Sequence, residues 1–135
     1  QKIIMELKIK SIKKLISEKM VQDYAEVSGD FNPIHLDENY AKKTDFKNKI
    51  VHGMLLISNI TEIMFKNFGN SWNESGALKI KFRNPLPVNS CLITNLKIIK
   101  FDKNNDGTLF TCEVMCNDYD GNILISGIAS VLVEE

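Results

Sequence analysis

The sequence predicts an α+β fold, a curved antiparallel sheet of about five strands wrapped around one long central helix. Two observations carry this expectation. Residues 52–68, HGMLLISNITEIMFKNF, are apolar around most of a helical circumference, and a helix apolar on most sides is a buried one. From residue 76 the apolar period changes to two, through ALKIKFRNP and parts of CLITNLKIIKF, TLFTCEVMCN and NILISGIASVLVE. A sheet beside a single apolar helix buries it by curving round it. The chain has 135 residues and shows no internal repeat, low-complexity segment or linker. Residues 1–135 therefore read as a single domain.

In chain order, residues 8–16, KIKSIKKLI, read as a strand whose lysines alternate weakly with apolar positions. Residues 17–28, SEKMVQDYAEVS, read as a helix. Ser17 can cap it, Glu18 suits its first turn, and Met20, Val21, Tyr24 and Val27 form one apolar stripe. Gly29 tolerates the left-handed conformation that ends helices. A loop follows, SGDFNPIHLD, and Asp37 can cap a short helix in ENYAKKT. Along the main helix, at about 100° per residue, Asn59, Glu62 and Lys66 share a narrow polar stripe. Ser58 and Thr61 fall inside the apolar arc, where a hydroxyl either bonds back to its own helix or meets a ligand. Pro85 and Pro87, NNDG and DYDGN separate the later strands. Four strands joined by short turns predict a meander, and the N-terminal strand makes about five. An open sheet edge and leftover apolar surface would be covered by a second copy of the chain.

Seventeen basic residues match seventeen acidic ones, so no basic field points to a nucleic-acid partner. The lysines of KIKSIKKLI read as a solvated strand face. No apolar run approaches the ~20 residues that span a bilayer, and no signal-peptide pattern is visible at the N-terminus. The cysteines are Cys91, Cys112 and Cys116, an odd count that argues against a disulfide framework. Cys112 and Cys116 lie in one expected strand, about 13 Å apart, too far for a disulfide or a shared zinc. These features lead us to expect a soluble cytoplasmic protein with neither a nucleic-acid nor a membrane partner.

The chemistry concentrates in Gly29-Asp30-Phe31-Asn32-Pro33-Ile34-His35. Gly29 frees the chain from the preceding helix. Pro33 pushes Asn32 towards extended geometry, and an Asn-Pro turn can bring His35 back beside Asp30. Asn32 can hold the loop through its side-chain amide. A carboxylate and an imidazole on one stiff segment can take and give protons around neutral pH. The structural alternative has Asp30 capping a turn and His35 on the surface. Downstream, IVHGMLL places His52 and Gly53 at the start of the buried helix. The first N–H groups of a helix lack internal partners, and the dipole there favours negative charge. Gly53 has no side chain to block a carbonyl oxygen, which makes the helix start a candidate oxyanion site. The plain alternative is a helix start with His52 as a poor cap.

Together, SGDFNPIHLDENYAKKTDFKNKIVHGMLL resembles the signature of the R-specific enoyl-CoA hydratases, also called hydratase 2 or MaoC-like dehydratases. That signature is a D-x-N-P-x-H loop followed by an I-V-H-G-M helix start. The similarity continues through FRNPLPVNS and the later strands, so it covers nearly the whole chain. It implies a hot-dog fold and a homodimer or higher homo-oligomer with sites near subunit interfaces. The implied reaction is reversible syn hydration of a trans-2-enoyl-CoA to the (R)-3-hydroxyacyl-CoA. Residue by residue, the resemblance makes Asp30 and His35 the catalytic pair, Gly53 the N–H that binds the thioester oxygen, and Asn32 the loop amide. A helix serine of some members falls at Thr61 here, and Ser58 is a substitute from the same helix face. Acyl-CoA is the substrate, and no cofactor is expected. No metal is expected either, because His35 and His52 lack a third ligand at helical or loop spacing. The alternatives are a 3-hydroxyacyl-[acyl-carrier-protein] dehydratase, a thioesterase, or a non-enzymatic acyl-thioester-binding protein. The presence of both proton-handling residues favours hydration over hydrolysis and over mere binding. Lys42, Lys43, Lys47 and Lys49 could meet CoA phosphates or an acidic carrier protein, although a solvated lysine-rich loop accounts for them too.

Overall fold

The long apolar run forms helix α4, Gly53–Phe68, with Leu56, Asn59, Ile60, Ile63 and Met64 buried along one face. The computed structural model describes residues 2–135, with side chains from Ile9 onward. Before α4 come β1 (Lys2–Lys8), β2 (Ile12–Ile16), α1 (Glu18–Ser28), α2 (Pro33–Leu36) and α3 (Glu38–Lys42). After it come α5 (Asn70–Ser75), β3 (Ala77–Phe82), β4 (Ser90–Asn104), β5 (Gly107–Asp118) and β6 (Ile123–Val133). All the strands join one antiparallel sheet in the order β1-β4-β5-β6-β3, with β2 also paired to β4. Leu92, Leu96, Cys112, Val114, Cys116, Leu124, Ile125, Ala129 and Val131 are buried from this sheet and join the α4 residues in one core. Each fully buried Leu, Ile or Val contributes about 1.5–3 kcal/mol relative to exposure.

Several expectations change in detail. The N-terminal strand is two strands, both antiparallel to β4. β1 runs along Lys97–Asp102 and β2 along Ser90–Thr94. They occupy one edge position broken at residues 9–11, where Ser11 Oγ donates to Asn95 Oδ1 at 2.6 Å. The sheet is not a plain meander. Only β4, β5 and β6 follow one another, and β3 lies beyond β6 on the far edge. The Pro85–Pro87 segment is not a tight turn but an extended crossing at the end of the sheet. It is fastened in sequence by Arg83 N–H to Leu124 O, Val51 N–H to Leu86 O, Val88 N–H to Lys49 O and Asn89 N–H to Ile16 O. Proline suits such a path, because it favours extended backbone and needs no donor.

At Gly127 in β6 the neighbouring β3 backbone leaves no room for a side chain. A Cβ there would lie 2.4 Å from Lys79 O.

Asn59 of the polar stripe does not face solvent. It is buried, and its amide donates to the Leu55 and Leu56 carbonyls of its own helix. Glu62 does reach solvent, and it pairs with Lys14 of β2 and Lys66. Nor is α4 covered all round. Met54 and Phe65 are exposed on the face turned away from the sheet. Ser17 caps α1 by accepting from Met20 N–H, and Gly29 ends that helix at φ 79°. The polar segment Asn70–Ser75 was not anticipated as a helix. It forms α5, which packs Trp72 against the core. Cys112 and Cys116 stay free and buried, and burial pushes both thiols up to about 11. No helix of the described residues is long and apolar enough to cross a membrane.

Candidate active site

The DFNPIH loop folds through its own short-range bonds. Ser28 Oγ accepts from Asp30 N–H at 3.1 Å, Asp30 Oδ1 accepts from Asn32 N–H at 3.2 Å, and Asn32 Oδ1 accepts from Ile34 N–H at 3.1 Å. Asn32 thereby caps α2 with Pro33 in its first turn. This is a favoured place for a residue with fixed φ and no donor. The single turn of α2 swings His35 inward. His35 Nδ1 lies 2.7 Å from the carbonyl of Ile50, and Ile50 N–H returns a bond to Ile34 O. A carbonyl only accepts, so Nδ1 of His35 carries the hydrogen. In the neutral ring the lone pair is then on Nε2, which lies 3.9 Å from Asp30 Oδ2. That gap exceeds a direct hydrogen bond, yet both atoms can reach one water molecule.

Residues 50–52 then lead into α4. His52 is the N-cap residue, with φ −55° and ψ 135°, but its side chain makes no capping bond. Gly53 begins the helix, and among the described residues no protein acceptor takes its N–H. Gly53 and His35 line a common cleft of about 280 Å³ with Phe46, Leu56, Phe82 and Arg83. The structure thus brings His35 and Gly53 to one cleft with Asp30 against His35, and it leaves Asn32 exposed within the loop as the cap of α2. It does not bring Ser58 or Thr61 there. Both hydroxyls bond back to their own helix, Ser58 to Leu55 O at 2.6 Å and Thr61 to Ser58 O at 2.8 Å. Of the four loop lysines, Lys49 pairs with Glu18, while Lys42, Lys43 and Lys47 are exposed.

The third ligand that sequence spacing lacked is present in space. Asp30, His35 and His52 offer one ligand atom each within 4.8 Å of one another. The rings are poorly arranged for an ion. His35 and His52 stack with centroids 3.9 Å apart and planes at 27°. Imidazole donates in its ring plane, so two nearly parallel rings aim their lone pairs alongside each other rather than at one centre. His52 is itself buried, and burial is the main reason its pKa lies below 6.5. The bond to Asp30 O opposes that shift, and the neighbouring His35 adds to it. In the unfolded chain His52 takes up a proton as pH falls through about 6.5, whereas the folded protein resists it. Stability from this group is therefore complete above 6.5 and is lost as pH falls towards the folded value. The urea midpoint should drop between pH 7 and 5.5, and should drop less in His52→Phe. Equal drops in the two proteins would remove His52 as the cause.

Sequence reasoning passed over most of the cleft lining beyond His35 and Gly53. Phe46, Phe82 and Arg83 belong to the lining. The signal for two of them was the FRNP stretch, which reads as a strand end until β3 is seen at the far edge.

Residues 4–111 match the family model of the MaoC-like domain. An (R)-specific enoyl-CoA hydratase of Rhodospirillum rubrum is 30% identical over 129 residues, which covers 91% of this chain and 83% of that protein. A mitochondrial 3-hydroxyacyl-[acyl-carrier-protein] dehydratase of Arabidopsis thaliana is 27% identical over 121 residues, 89% of this chain and 72% of that one. Among solved structures, the (R)-hydratase from A. caviae involved in PHA biosynthesis matches with a TM-score of 0.80 at 23% identity, covering 96% of this chain and 95% of the other. That last likeness concerns the fold.

Proposed function

Because the chain belongs to the MaoC-like domain family and has the hot-dog fold, we propose that it is a hydro-lyase acting on acyl thioesters. In particular, we propose an R-specific enoyl-CoA hydratase that adds water reversibly and syn across a trans-2-enoyl-CoA. The observation that carries this reading is the cleft that His35 and Gly53 line together, with the Asp30 carboxylate 3.9 Å from His35 Nε2 and no acceptor for Gly53 N–H among the described residues. The thioester carbonyl makes C3 electrophilic, and charge gathers on its oxygen as water adds. Gly53 N–H, at the positive end of α4, is placed to receive that charge. One member of the pair takes a proton from water as its oxygen bonds to C3. The other delivers a proton to C2. Syn addition requires the two groups to act from the same face of the double bond, and their separation of 3.9 Å is compatible with that. The pair must hold one proton between them, so the rate falls when both are protonated and when neither is. In this scheme no metal or cofactor takes part, and Asn32 keeps the loop in shape.

The exposed Phe46, Met54 and Phe82 support a homodimer. They leave apolar surface at and beside the cleft that a second copy would cover.

The test is the absorbance of the enoyl-thioester band with crotonyl-CoA, followed by chiral analysis of the product and light scattering of the same preparation. Bleaching, an R product and a dimeric mass are expected. Rapid turnover of a crotonyl carrier-protein thioester with little of the CoA ester would favour the dehydratase reading. Inactivity on both would overturn hydration altogether.

A further inference from the structure

His52 is the buried imidazole that this scheme leaves unused. It is 1% exposed. Its Nε2–H donates to the main-chain carbonyl of Asp30 at 3.0 Å. One face of its ring lies on His35, with centroids 3.9 Å apart. Tyr24 of α1 packs edge-to-face against it at 4.8 Å. Its Nδ1 is buried with no hydrogen-bond partner among the described residues. A buried polar atom without a partner destabilises a fold relative to an apolar ring of the same shape. Packing alone therefore favours phenylalanine here. Capping favours serine or aspartate, and His52 does not cap. What the imidazole supplies is one N–H for the Asp30 main chain and one flat face for His35.

We propose that His52 is a positioning residue for the Asp30–His35 pair, fixing the Asp30 main chain and the plane of the His35 ring at once. This rests on the hydratase reading. A neutral ring suits the role. The titratable groups that face it are Asp30, His35 and Tyr24. Burial, helped by His35, lowers its own pKa against the opposing pull of the Asp30 bond.

Two measurements decide this. The first uses wild-type protein and long-range ¹H–¹⁵N correlation of the histidine rings. His52 should be neutral at pH 7 with its hydrogen on Nε2. Hydrogen on Nδ1, or an ordinary titration, would overturn the proposal. The second compares His52→Phe and His52→Gln. The phenylalanine variant keeps the flat ring and loses the donor. It should melt no lower than wild type at pH 7, yet turn over about 10–100-fold more slowly, with KM changed by less than about threefold. His52→Gln keeps a donor at similar reach and should recover part of the rate. A purely structural role predicts the reverse pairing, lost stability with an unchanged rate per folded molecule. That result would overturn the proposal. If wild type hydrates neither thioester, the hydratase reading fails on its own control, and the ring tautomer still decides whether His52 holds Asp30.

Discussion

Asp30→Asn and His35→Gln should each lower kcat for crotonyl-CoA by about 10²–10⁴-fold, the usual worth of a positioned acid or base. Asp30→Asn is the cleaner of the two. The Asp30 side chain is half exposed, and asparagine can keep the oxygen that accepts from Asn32 N–H. Its stability should stay within about 0.5 kcal/mol of wild type. His35→Gln breaks the bond between Nδ1–H and Ile50 O. His35 is only 11% exposed, so a stability loss of about 1 kcal/mol should accompany the rate loss. The proposed mechanism has the two groups act on one substrate, and they lie 3.9 Å apart, so the double variant should cost little more than the worse single one. Stopped assays at matched folded concentration, with melting curves alongside, separate the two effects. Near-normal rates in both single variants would sink the assigned mechanism.

The elements legible in the sequence were those whose signals are local. Ser17, Gly29 and Asp37 mark helix ends through bonds to residues no more than four positions away. The alternation in TLFTCEVMCN places Cys112, Val114 and Cys116 on one buried face of β5. The errors fell where distant segments decide. Nothing within residues 83–89 says whether the chain turns back beside β3 or crosses the sheet. The bonds to Leu124, Val51, Lys49 and Ile16 decide it, and all lie far away in sequence. Asn59 misled for a related reason. Its polarity suggested solvent, but an amide that donates to its own helix carbonyls can be buried without an outside partner.

The site divides in the same way. Asp30, Asn32 and His35 are close in sequence, and their loop is built by contacts two or three residues long, so spacing alone pointed to it. Ser58 and Thr61 lay on a plausible arc, but helical periodicity gives a direction and not a rotamer, and both hydroxyls turn back on α4. His52 was visible as a residue and not as a neighbour. Its stacking on His35 requires α2 and the start of α4 to meet, which the reciprocal bonds between residues 34–35 and Ile50 achieve. The family resemblance carried the roles further than the spacing could.

Gly53→Pro should lower kcat by about 10²–10³-fold beyond any loss in Gly53→Ala, the usual cost of removing one oxyanion donor. Alanine keeps the N–H, whereas proline replaces it with a ring carbon. Position 53 is the first residue of α4, where N–H has no helical acceptor and proline is well tolerated. His52 already has ψ 135°, the extended geometry that a residue before proline prefers. The helix should therefore survive the change. Both variants add a Cβ that would stand 2.9 Å from Phe82 Cε1. Phe82 is 56% exposed and free to swing its ring aside, so this crowding is common to both variants and cancels in the comparison. Only the proline lacks the N–H. Charge on the thioester oxygen is greatest in the transition state, so the extra loss should fall on kcat more than on KM. Equal rates for the alanine and proline variants, both folded, would mean that the oxygen is held elsewhere.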